Sequence, residues 1–302
     1  MSHEHCEHHH HHHEHNNSKS LLIVLFITAF YMVAEFLGGY FTNSLALTAD
    51  AGHMLGDTAS LALSFFALWL TSQKASIEKT YGYYRAEIFA ALINGVTLIF
   101  IAFTILYEAY QRITIAQHID AVTMTIIAFG GLIVNIVGAY ILHSGSKENL
   151  NIKGAFFHIL GDLLGSIGAI VAGVLVYGWH LYMADTIVSI IIAILVLYSS
   201  INITNAAVRI LMEVAPENIN IDEVKDSICA IDGVNNLHDL HVWNINSQFV
   251  SLSVHIVAKK EDNERLLCEI NALLKEKFEI KHSTIQIEPD DFHEKDCPFH
   301  LH

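Results

Sequence analysis

Six long apolar stretches, each broken by only a few polar residues, run through the first two thirds of the chain. They are Leu21–Tyr40, Leu45–Leu70, Ile88–Tyr110, Ala121–Leu142, Ala155–Tyr177 and Ala184–Ala207. A helix needs about 20 apolar residues to cross a hydrocarbon core of about 30 Å, and each stretch has roughly that length. None contains proline, so each can form a continuous helix. The pattern predicts an α-helical membrane protein with six transmembrane helices.

The pattern changes after residue 209, where charged residues return and the long apolar runs give way to apolar residues separated by polar ones. Helical spacing predicts two helices and alternation predicts three strands. In chain order these segments are Ile221–Ile231, Val234–Trp243, Phe249–Ala258, Glu261–Phe278 and Ser283–Glu288. The α-β-β-α-β order predicts a small two-layer α+β domain, ferredoxin- or metallochaperone-like, with the helices on one face of the sheet. We expect Gly233 to end the first helix, and Cys229 and Cys268 to be buried in the core.

The basic residues of the loops predict the orientation in the membrane. Lys19, Lys74, Lys79, Arg85, Lys147, Lys153 and Arg209 lie on one side, and only Arg112 lies on the other. Positive charge collects on the cytoplasmic side of a membrane protein, so both termini are predicted to be cytoplasmic. No signal peptide or other targeting segment is recognisable, and we expect a multi-pass protein of the cell (plasma) membrane.

Composition narrows the classes of function. The 302 residues carry a formal charge of −15, which argues against binding to nucleic acid because phosphate contacts need a basic face. The four cysteines form no C-x-x-C pair, so a disulfide framework is not expected. Histidine is unusually frequent, with 21 residues.

Two of the apolar stretches carry the same pair of metal-ligand residues. His53 and Asp57 lie four residues apart in the second stretch, and His158 and Asp162 lie four apart in the fifth. This spacing places both side chains of a pair on one helical face. Two such faces could present two imidazoles and two carboxylates to one Zn²⁺ ion. Ionisable groups at this depth usually mark an ion pathway, although two His–Asp hydrogen bonds that staple helices together would also explain them.

Other polar residues of the apolar stretches could serve the ion pathway or join helices. Asp50 lies on the same stripe as His53 and Asp57, and it could act as a partner of a ligand, as a proton relay, or as a helix–helix hydrogen-bonding group. Glu35, Asn94, Asn135 and Asp185 are expected to join helices rather than to bind metal.

These motifs resemble those of the cation diffusion facilitator family, and in particular its bacterial cobalt–zinc–cadmium resistance branch. The resemblance rests on the paired His-x-x-x-Asp motifs, on the loop from Tyr81 to Glu87, and on the segment His238-Asp-Leu-His241-Val-Trp243. It implies a homodimeric antiporter in the lipid bilayer that exports Zn²⁺, with Cd²⁺ or Co²⁺ as further candidates, in exchange for protons. It also implies a transport site of His53, Asp57, His158 and Asp162 between the second and fifth spans.

The domain organisation follows from the pattern and the resemblance together. We expect a His-rich cytoplasmic arm at 1–19, a transmembrane domain at 20–208, a cytoplasmic α+β domain at 209–289 and an acidic tail with His and Cys at 290–302.

Metal binding to neutral imidazoles and ionised carboxylates releases protons, which is the chemistry an exchange of Zn²⁺ for protons requires.

The resemblance also implies zinc sites outside the membrane. Family positions that match His238 and His255 bind zinc in the cytoplasmic domain, and Glu288 of the third strand is the candidate that completes the set. By analogy with eukaryotic relatives, His5 and Cys6 could meet Cys297 and His300 of a partner subunit, although a solvated tail explains the last two equally well. Some members have a further zinc site in the loop between the second and third spans. Gln73–Glu87 has no histidine, and Tyr84 stands where relatives often place one, so no site is predicted there.

Other interpretations explain less of the chain. The His run could be an expression tag, but its irregular flanks favour a metal-collecting arm. An intramembrane metalloprotease needs a general base beside its metal, as in His-Glu-x-x-His, and this chain has Met54 and Ile159 after its histidines. The chain also has no Gly-x-x-x-x-Gly-Lys-[Ser/Thr] loop for an ATP-driven pump. The sequence therefore predicts a secondary transporter and not an enzyme.

Overall fold

The structure is a computed structural model that describes residues 11–71, 77–114, 117–143, 150–247, 249–259 and 263–289. Six long helices come first, then a small mixed domain. The long helices are α1 His11–Thr42, α2 Leu45–Thr71, α3 Ala86–Thr114, α4 Ala121–His143, α5 Leu150–Trp179 and α6 Met183–Leu211. The mixed domain contains α7 Ile221–Cys229, β1 Val234–Asn244, β2 Val250–Ala258, α8 Asn263–Phe278 and β3 His282–Glu288.

Among the described residues, five helices are long and apolar enough to cross a membrane. They lie at Ile23–Thr42, Ala86–Ile113, Ala121–His143, Ile159–Trp179 and Met183–Leu211. These spans make the chain a multi-pass membrane protein, as the apolar pattern predicted. The remaining long helix, α2, has 27 residues and carries the first His-x-x-x-Asp pair. Its role as the sixth span stays a prediction.

The helix α1 begins much earlier than the apolar pattern indicated. It starts at His11, so the second half of the predicted His-rich arm is helical and continuous with the first span. The segment from His11 to Leu21 contains neither proline nor glycine, and nothing in it stops a helix from extending into water. Residues 1–10 lie outside the described residues.

The chain divides into two compact units, and the first consists of residues 1–65 and 93–204. Within it, small side chains let the helices approach closely, as is usual for helices in a membrane. Ala49 of α2, Ala102 and Ala109 of α3, and Ala193 of α6 are all fully buried in one cluster. On its other side, α2 contributes Ala46 and Leu47 to a second cluster. The partners on α4 and α5 are Met124, Ala128, Ala169, Ala172 and Val176. The first half of α2 is therefore packed on both sides.

The second unit consists of residues 66–92 and 205–302 and includes the mixed domain. The strand order is β1-β2-β3, with β1 and β2 antiparallel and β2 and β3 parallel. The predicted α-β-β-α-β order is therefore present. The side chain of Asn220 caps α7 by accepting hydrogen bonds from the backbone N–H groups of Asp222 and Glu223.

The core of this domain forms where the two helices cover the sheet. Val224 and Ile228 of α7 and Leu266, Ile270 and Leu274 of α8 are fully buried against β2. Two sequence predictions are wrong here. Cys229 and Cys268 are exposed, because each follows a buried helical position by one or two residues and so points away from the sheet. The helix α7 ends at Cys229, and Gly233 instead adopts a φ of 95° in the turn before β1.

We expect Ile256→Ala to destabilise this domain strongly. Ile256 is fully buried in β2, and truncating a buried isoleucine leaves a cavity that costs about 2–5 kcal/mol in free energy of unfolding. Val257→Ala on the same strand is the matched control, because its side chain is only partly buried. Pulse proteolysis of the full-length protein in urea measures both. Equal destabilisation by the two variants would contradict this core.

Candidate metal centres

His53 and Asp57 of α2 meet Asp162 of α5 inside the first unit. The His53 Nδ1 atom lies 3.6 Å from Asp57 Oδ2, and its Nε2 atom lies 3.5 Å from Asp162 Oδ1. One ligand atom from each of the three residues lies within 4.8 Å of the other two. Asp162 has only 6% of its side chain exposed, whereas His53 and Asp57 have 31% and 33% exposed. The site is therefore partly exposed on the α2 side and buried on the α5 side.

Only one of these two separations can join ligand atoms of a single metal ion, because they start from different ring nitrogens of His53. Ligand atoms at the corners of a tetrahedron with bonds of about 2.0–2.2 Å lie roughly 3.3–3.6 Å apart. Two carboxylate oxygens and an imidazole nitrogen are ligands that Zn²⁺ accepts. Only one ring nitrogen of His53 can bind the metal. The other then faces a carboxylate, as is usual for histidine ligands.

The fourth predicted ligand, His158, belongs to α5 and lies four residues before Asp162. Its side chain lies outside the described residues. The structure thus brings together three of the four predicted residues of the transport site, and the role of His158 stays a prediction.

The start of α2 is held in place by Asp185, a fully buried residue in the first turn of α6. The Asp185 carboxylate accepts hydrogen bonds from the Ser44 hydroxyl at 2.6 Å, from the Leu45 N–H at 2.8 Å and from the Ala46 N–H at 3.2 Å. The Ser44 hydroxyl also accepts a hydrogen bond from the Leu47 N–H at 3.2 Å. A carboxylate at the N-terminus of a helix satisfies free N–H groups and the positive end of the helix dipole. Asp185 therefore joins α6 to α2, which is the helix-joining role predicted for it.

Arg112 at the end of α3 lies beside this cap. Its Nη1 atom is 3.8 Å from Asp185 Oδ2, and it donates hydrogen bonds to the Asn43 carbonyl at 2.7 Å and to Glu108 at 2.6 Å. The guanidinium group is buried, with 5% of the side chain exposed. Sequence reasoning used Arg112 only as an orientation signal. Its isolation as the one basic residue of its side was a hint that it has a structural partner.

A second candidate metal centre lies on the sheet of the cytoplasmic domain. His238 of β1 and His255 of β2 are paired across the two strands, and Glu288 ends β3. The His238 Nε2 and His255 Nδ1 atoms each lie 3.0 Å from a different oxygen of Glu288. The Glu288 side chain is buried and also accepts a hydrogen bond from Gln286 at 2.7 Å. The three residues that the family resemblance assigned to this domain are adjacent.

An irregularity in β1 brings a further acid to this cluster. The register with β2 shifts between His238 and His241, and Asp239 within the shift has a φ of 50°. Its carboxylate lies 3.7 Å from His255 Nε2 and 2.9 Å from His241 Nε2. Sequence reasoning missed Asp239, because alternation along a regular strand places it on the opposite face from His238.

The loop between α2 and α3 makes an aromatic contact with the cytoplasmic domain. The rings of Tyr84 and Phe249 are nearly parallel, with centroids 5.5 Å apart. Arg85 pairs with Glu213 at 2.5 Å, and Ser247 donates a hydrogen bond to Glu87 at 2.5 Å. The predicted lack of a zinc site in this loop stays a prediction, since residues 72–76 lie outside the described residues. The terminal candidates His5, Cys6, Cys297 and His300 lie outside them as well.

The fold and the first site together define a class of protein. A multi-pass helical membrane domain that gathers an imidazole and two carboxylates between two helices, with a soluble α+β domain attached, is the architecture of a transporter for metal cations.

Comparison with known proteins identifies the family. Residues 21–212 match the cation efflux transmembrane domain, and residues 216–290 match the cytoplasmic domain of cation efflux proteins. The chain therefore belongs to the cation efflux family, which is the cation diffusion facilitator family. Its relatives are transporters, which supports the expectation that the chain is not an enzyme.

Several relatives align along most of their length. A cadmium, cobalt and zinc/H⁺-K⁺ antiporter of Bacillus subtilis is 44% identical over 86% of this chain and 85% of its own. The metal cation efflux system protein CzcD of Cupriavidus metallidurans is 37% identical over 92% and 88%, and the zinc transporter ZitB of Escherichia coli is 39% identical over 90% and 87%. A solved metal-bound C-terminal domain of CzcD is 39% identical and covers 23% of this chain and 99% of that domain, with a TM-score of 0.22.

We expect Asp185→Asn to destabilise the membrane domain, because the amide nitrogen cannot accept the hydrogen bonds of Ser44 and the α2 N-terminus. The loss of one such buried acceptor costs about 2 kcal/mol, or on the order of 5 °C in thermal midpoint. Thermal unfolding of the detergent-solubilised protein measures it.

The control for this prediction is Asp120→Asn. Asp120 caps α4 at an exposed site, where hydrogen bonds from Thr123 hold the pKa of its carboxyl below the usual range. Asparagine caps a helix about as well as aspartate, so this change should cost less than about 0.5 kcal/mol. An Asp185→Asn protein as stable as the Asp120→Asn protein would contradict the anchoring role.

Proposed function

We propose that the protein exports Zn²⁺ from the cytoplasm in exchange for protons, through a tetrahedral site of His53, Asp57, His158 and Asp162 between α2 and α5. The observation that carries this proposal is the convergence of His53 and Asp57 from α2 with Asp162 from α5. A staple between the two helices without a metal would need only one His–Asp contact from α2 to α5. Here the His53 ring lies between carboxylates from both helices.

The same residues support competition between metal and proton. A metal ion needs a neutral imidazole and ionised carboxylates, whereas a protonated His53 ring can donate from both nitrogens to Asp57 and Asp162. Either occupant supplies positive charge between two carboxylates. Binding one therefore expels the other, and an imposed proton gradient can drive metal across the membrane.

The choice of metal rests on ligand chemistry and on relatives. Two imidazoles with two carboxylates suit Zn²⁺, although Co²⁺ and Cd²⁺ accept similar ligands. The E. coli relative is named a zinc transporter, and the B. subtilis relative is named for cadmium, cobalt and zinc. We take Zn²⁺ as the main substrate and Cd²⁺ and Co²⁺ as further candidates.

The location and assembly are also part of the proposal. The excess of Lys and Arg in alternate loops supports cytoplasmic termini in a cell membrane. The resemblance of residues 216–290 to the family's cytoplasmic domain supports a homodimer.

We further propose that His238, His255 and Glu288 bind Zn²⁺ in the cytoplasmic domain. Two imidazole nitrogens and one buried carboxylate, all within 4.8 Å, form three corners of a zinc site. The carboxylate of Asp239 lies at 3.7 Å from His255 and is placed to support that ring.

We expect Asp57→Asn and Asp162→Asn each to abolish zinc transport driven by a pH gradient. An amide removes the negative charge that the metal requires, and uptake should fall by more than about tenfold, since even partners of metal ligands contribute that much. The measurement is Zn²⁺ uptake into inside-out vesicles with an acidic lumen, with Asp120→Asn as control. Uptake that survives both substitutions would show that the His–Asp pairs are staples.

For the cytoplasmic site, we expect Glu288→Gln to remove the stabilisation that zinc gives to the domain. A ligand that binds only the folded state raises the free energy of unfolding, by about 2.7 kcal/mol when its concentration is one hundred times its Kd. The thermal midpoint rises with it. The zinc-dependent shift in thermal unfolding of the full-length protein should shrink in Glu288→Gln and persist in Glu276→Gln, a change at an exposed position of α8. An equal shift in both variants would refute the ligand set.

A further inference from the structure

A layer of buried polar side chains lies in the membrane domain in addition to the metal centre. It contains Glu35 of α1, Asp50 of α2, Asn135 of α4 and Ser166 of α5. All four side chains are buried, with at most 2% of each residue exposed. Four helices therefore direct polar groups into one region from which solvent is excluded.

Two glycines make room for this layer. A Cβ atom at Gly131 would lie 2.6 Å from Glu35 Oε1 and 3.2 Å from Ser166 Oγ, so these two oxygens approach the same point on α4. A Cβ atom at Gly165 would lie 2.6 Å from Asp50 Oδ1. Both carboxylates are pressed against bare backbone, where a larger residue would displace them.

The layer contains more hydrogen-bond acceptors than donors. Among the described residues, Glu35 Oε2 and Asn135 Oδ1 have no hydrogen-bond partner. The Asn135 amide donates to Ser166 Oγ at 3.3 Å, and the nearby Tyr31 hydroxyl donates to the Ile127 carbonyl. The described side chains therefore supply no donor to Glu35 Oε2. A buried carboxylate without donors is neutralised rather than left charged, so the layer needs protons.

The charged groups around the layer strengthen this need. Asp50 and Asp162 both repel Glu35 electrostatically, and Asp162 and Asp57 repel Asp50. No described basic side chain hydrogen-bonds to or pairs with Glu35 or Asp50. Tyr31 is a further titratable neighbour among the described residues, and its hydroxyl donates to the Ile127 carbonyl.

We propose that Glu35, together with Asp50 and Asn135, forms a proton-binding site distinct from the metal site, and that Glu35 is its titrating group. This proposal rests on the proton exchange proposed above. A proton binds to one oxygen of Glu35, and the resulting hydroxyl can donate a hydrogen bond to an unpartnered acceptor of the layer. When the proton leaves, Glu35 is again a carboxylate. Asp50 is repelled by the metal ligands Asp57 and Asp162 and itself repels Glu35, so it is the positioning group that links the two sites.

The place of the layer along the helices suits protons that enter from outside. Asp50 precedes His53 in α2, and Ser166 follows Asp162 in α5. Both therefore lie on the side of the metal site nearer to the α1–α2 and α5–α6 connections. In the proposed orientation these connections are extracellular, so protons reach the layer before they reach the metal ligands.

The first test is infrared spectroscopy of the full-length protein in lipid, with and without deuterium exchange. We expect a carboxylic-acid carbonyl band at neutral pH that shifts in D₂O, disappears in Glu35→Gln and persists in Glu217→Gln, an exposed control. A band that is unchanged in Glu35→Gln would overturn the proposal. So would a band that disappears from the wild-type protein when K⁺ is added at constant pH, because the layer would then hold a monovalent cation.

The second test separates proton coupling from metal binding. Glutamine can donate where protonated glutamate does, so Glu35→Gln should fold and keep the zinc affinity of the wild-type protein. Uptake driven by a pH gradient should fall by about a hundredfold, as when a positioned proton-transfer group is removed, and Glu35→Asp should restore part of it. Gradient-driven uptake that is unchanged in Glu35→Gln would refute the role of Glu35. A wild-type protein that ignores the pH gradient would instead refute the proton exchange itself, whatever the infrared band does.

Discussion

The buried carboxylate of Asp185 determines where α2 begins. It accepts hydrogen bonds from the Ser44 hydroxyl and from the first backbone N–H groups of α2, and Arg112 lies next to it. A helix whose first turn is held by three hydrogen bonds cannot easily rotate or slide. Asp50, His53 and Asp57 all lie within four turns of that point, so this contact helps to fix their positions.

Beyond this anchor, α2 changes from close apolar packing to polar side chains that face α5. Around the start of α2, alanines and leucines pack closely against α3, α4, α5 and α6. Further along, the same helix presents His53 and Asp57 to Asp162 at distances that leave space for an ion. The closely packed first turn of α2 supports the next turns, where carboxylates lie near one another. Without such support, repulsion between the carboxylates would move the helices apart.

The sequence predicted the elements well where one physical rule dominates. Apolar length indicated the long helices, and alternation indicated β2 and β3 to within one residue. Spacing alone placed His53 and Asp57 on one face. The predictions were wrong where a local sequence rule did not decide the boundary of a helix or the burial of a side chain. The helix α1 extends to His11 because nothing in the polar segment breaks it, and the two cysteines of the cytoplasmic helices lie beside the buried stripe rather than in it.

Tertiary contacts explain what the sequence could not predict. The bond from Asp185 to Leu45 joins residues 140 positions apart, and no local pattern reports it. Asp239 reaches the histidine cluster only because β1 is irregular there and its φ is positive. The shortage of donors around Glu35 among the described side chains is likewise a property of four helices together. It appears only when their side chains are counted in one volume.

The stacked rings of Tyr84 and Phe249 have a consequence for how the cell's metal supply acts on the protein. A bridge made by a metal ion loosens when the ion becomes scarce, but two aromatic rings attract each other by dispersion and by exclusion of water. The contact between the α2–α3 loop and the turn before β2 therefore keeps its strength in metal-starved cells and in the presence of chelators. The ring contact is thus a connection within the second unit that needs no metal ion.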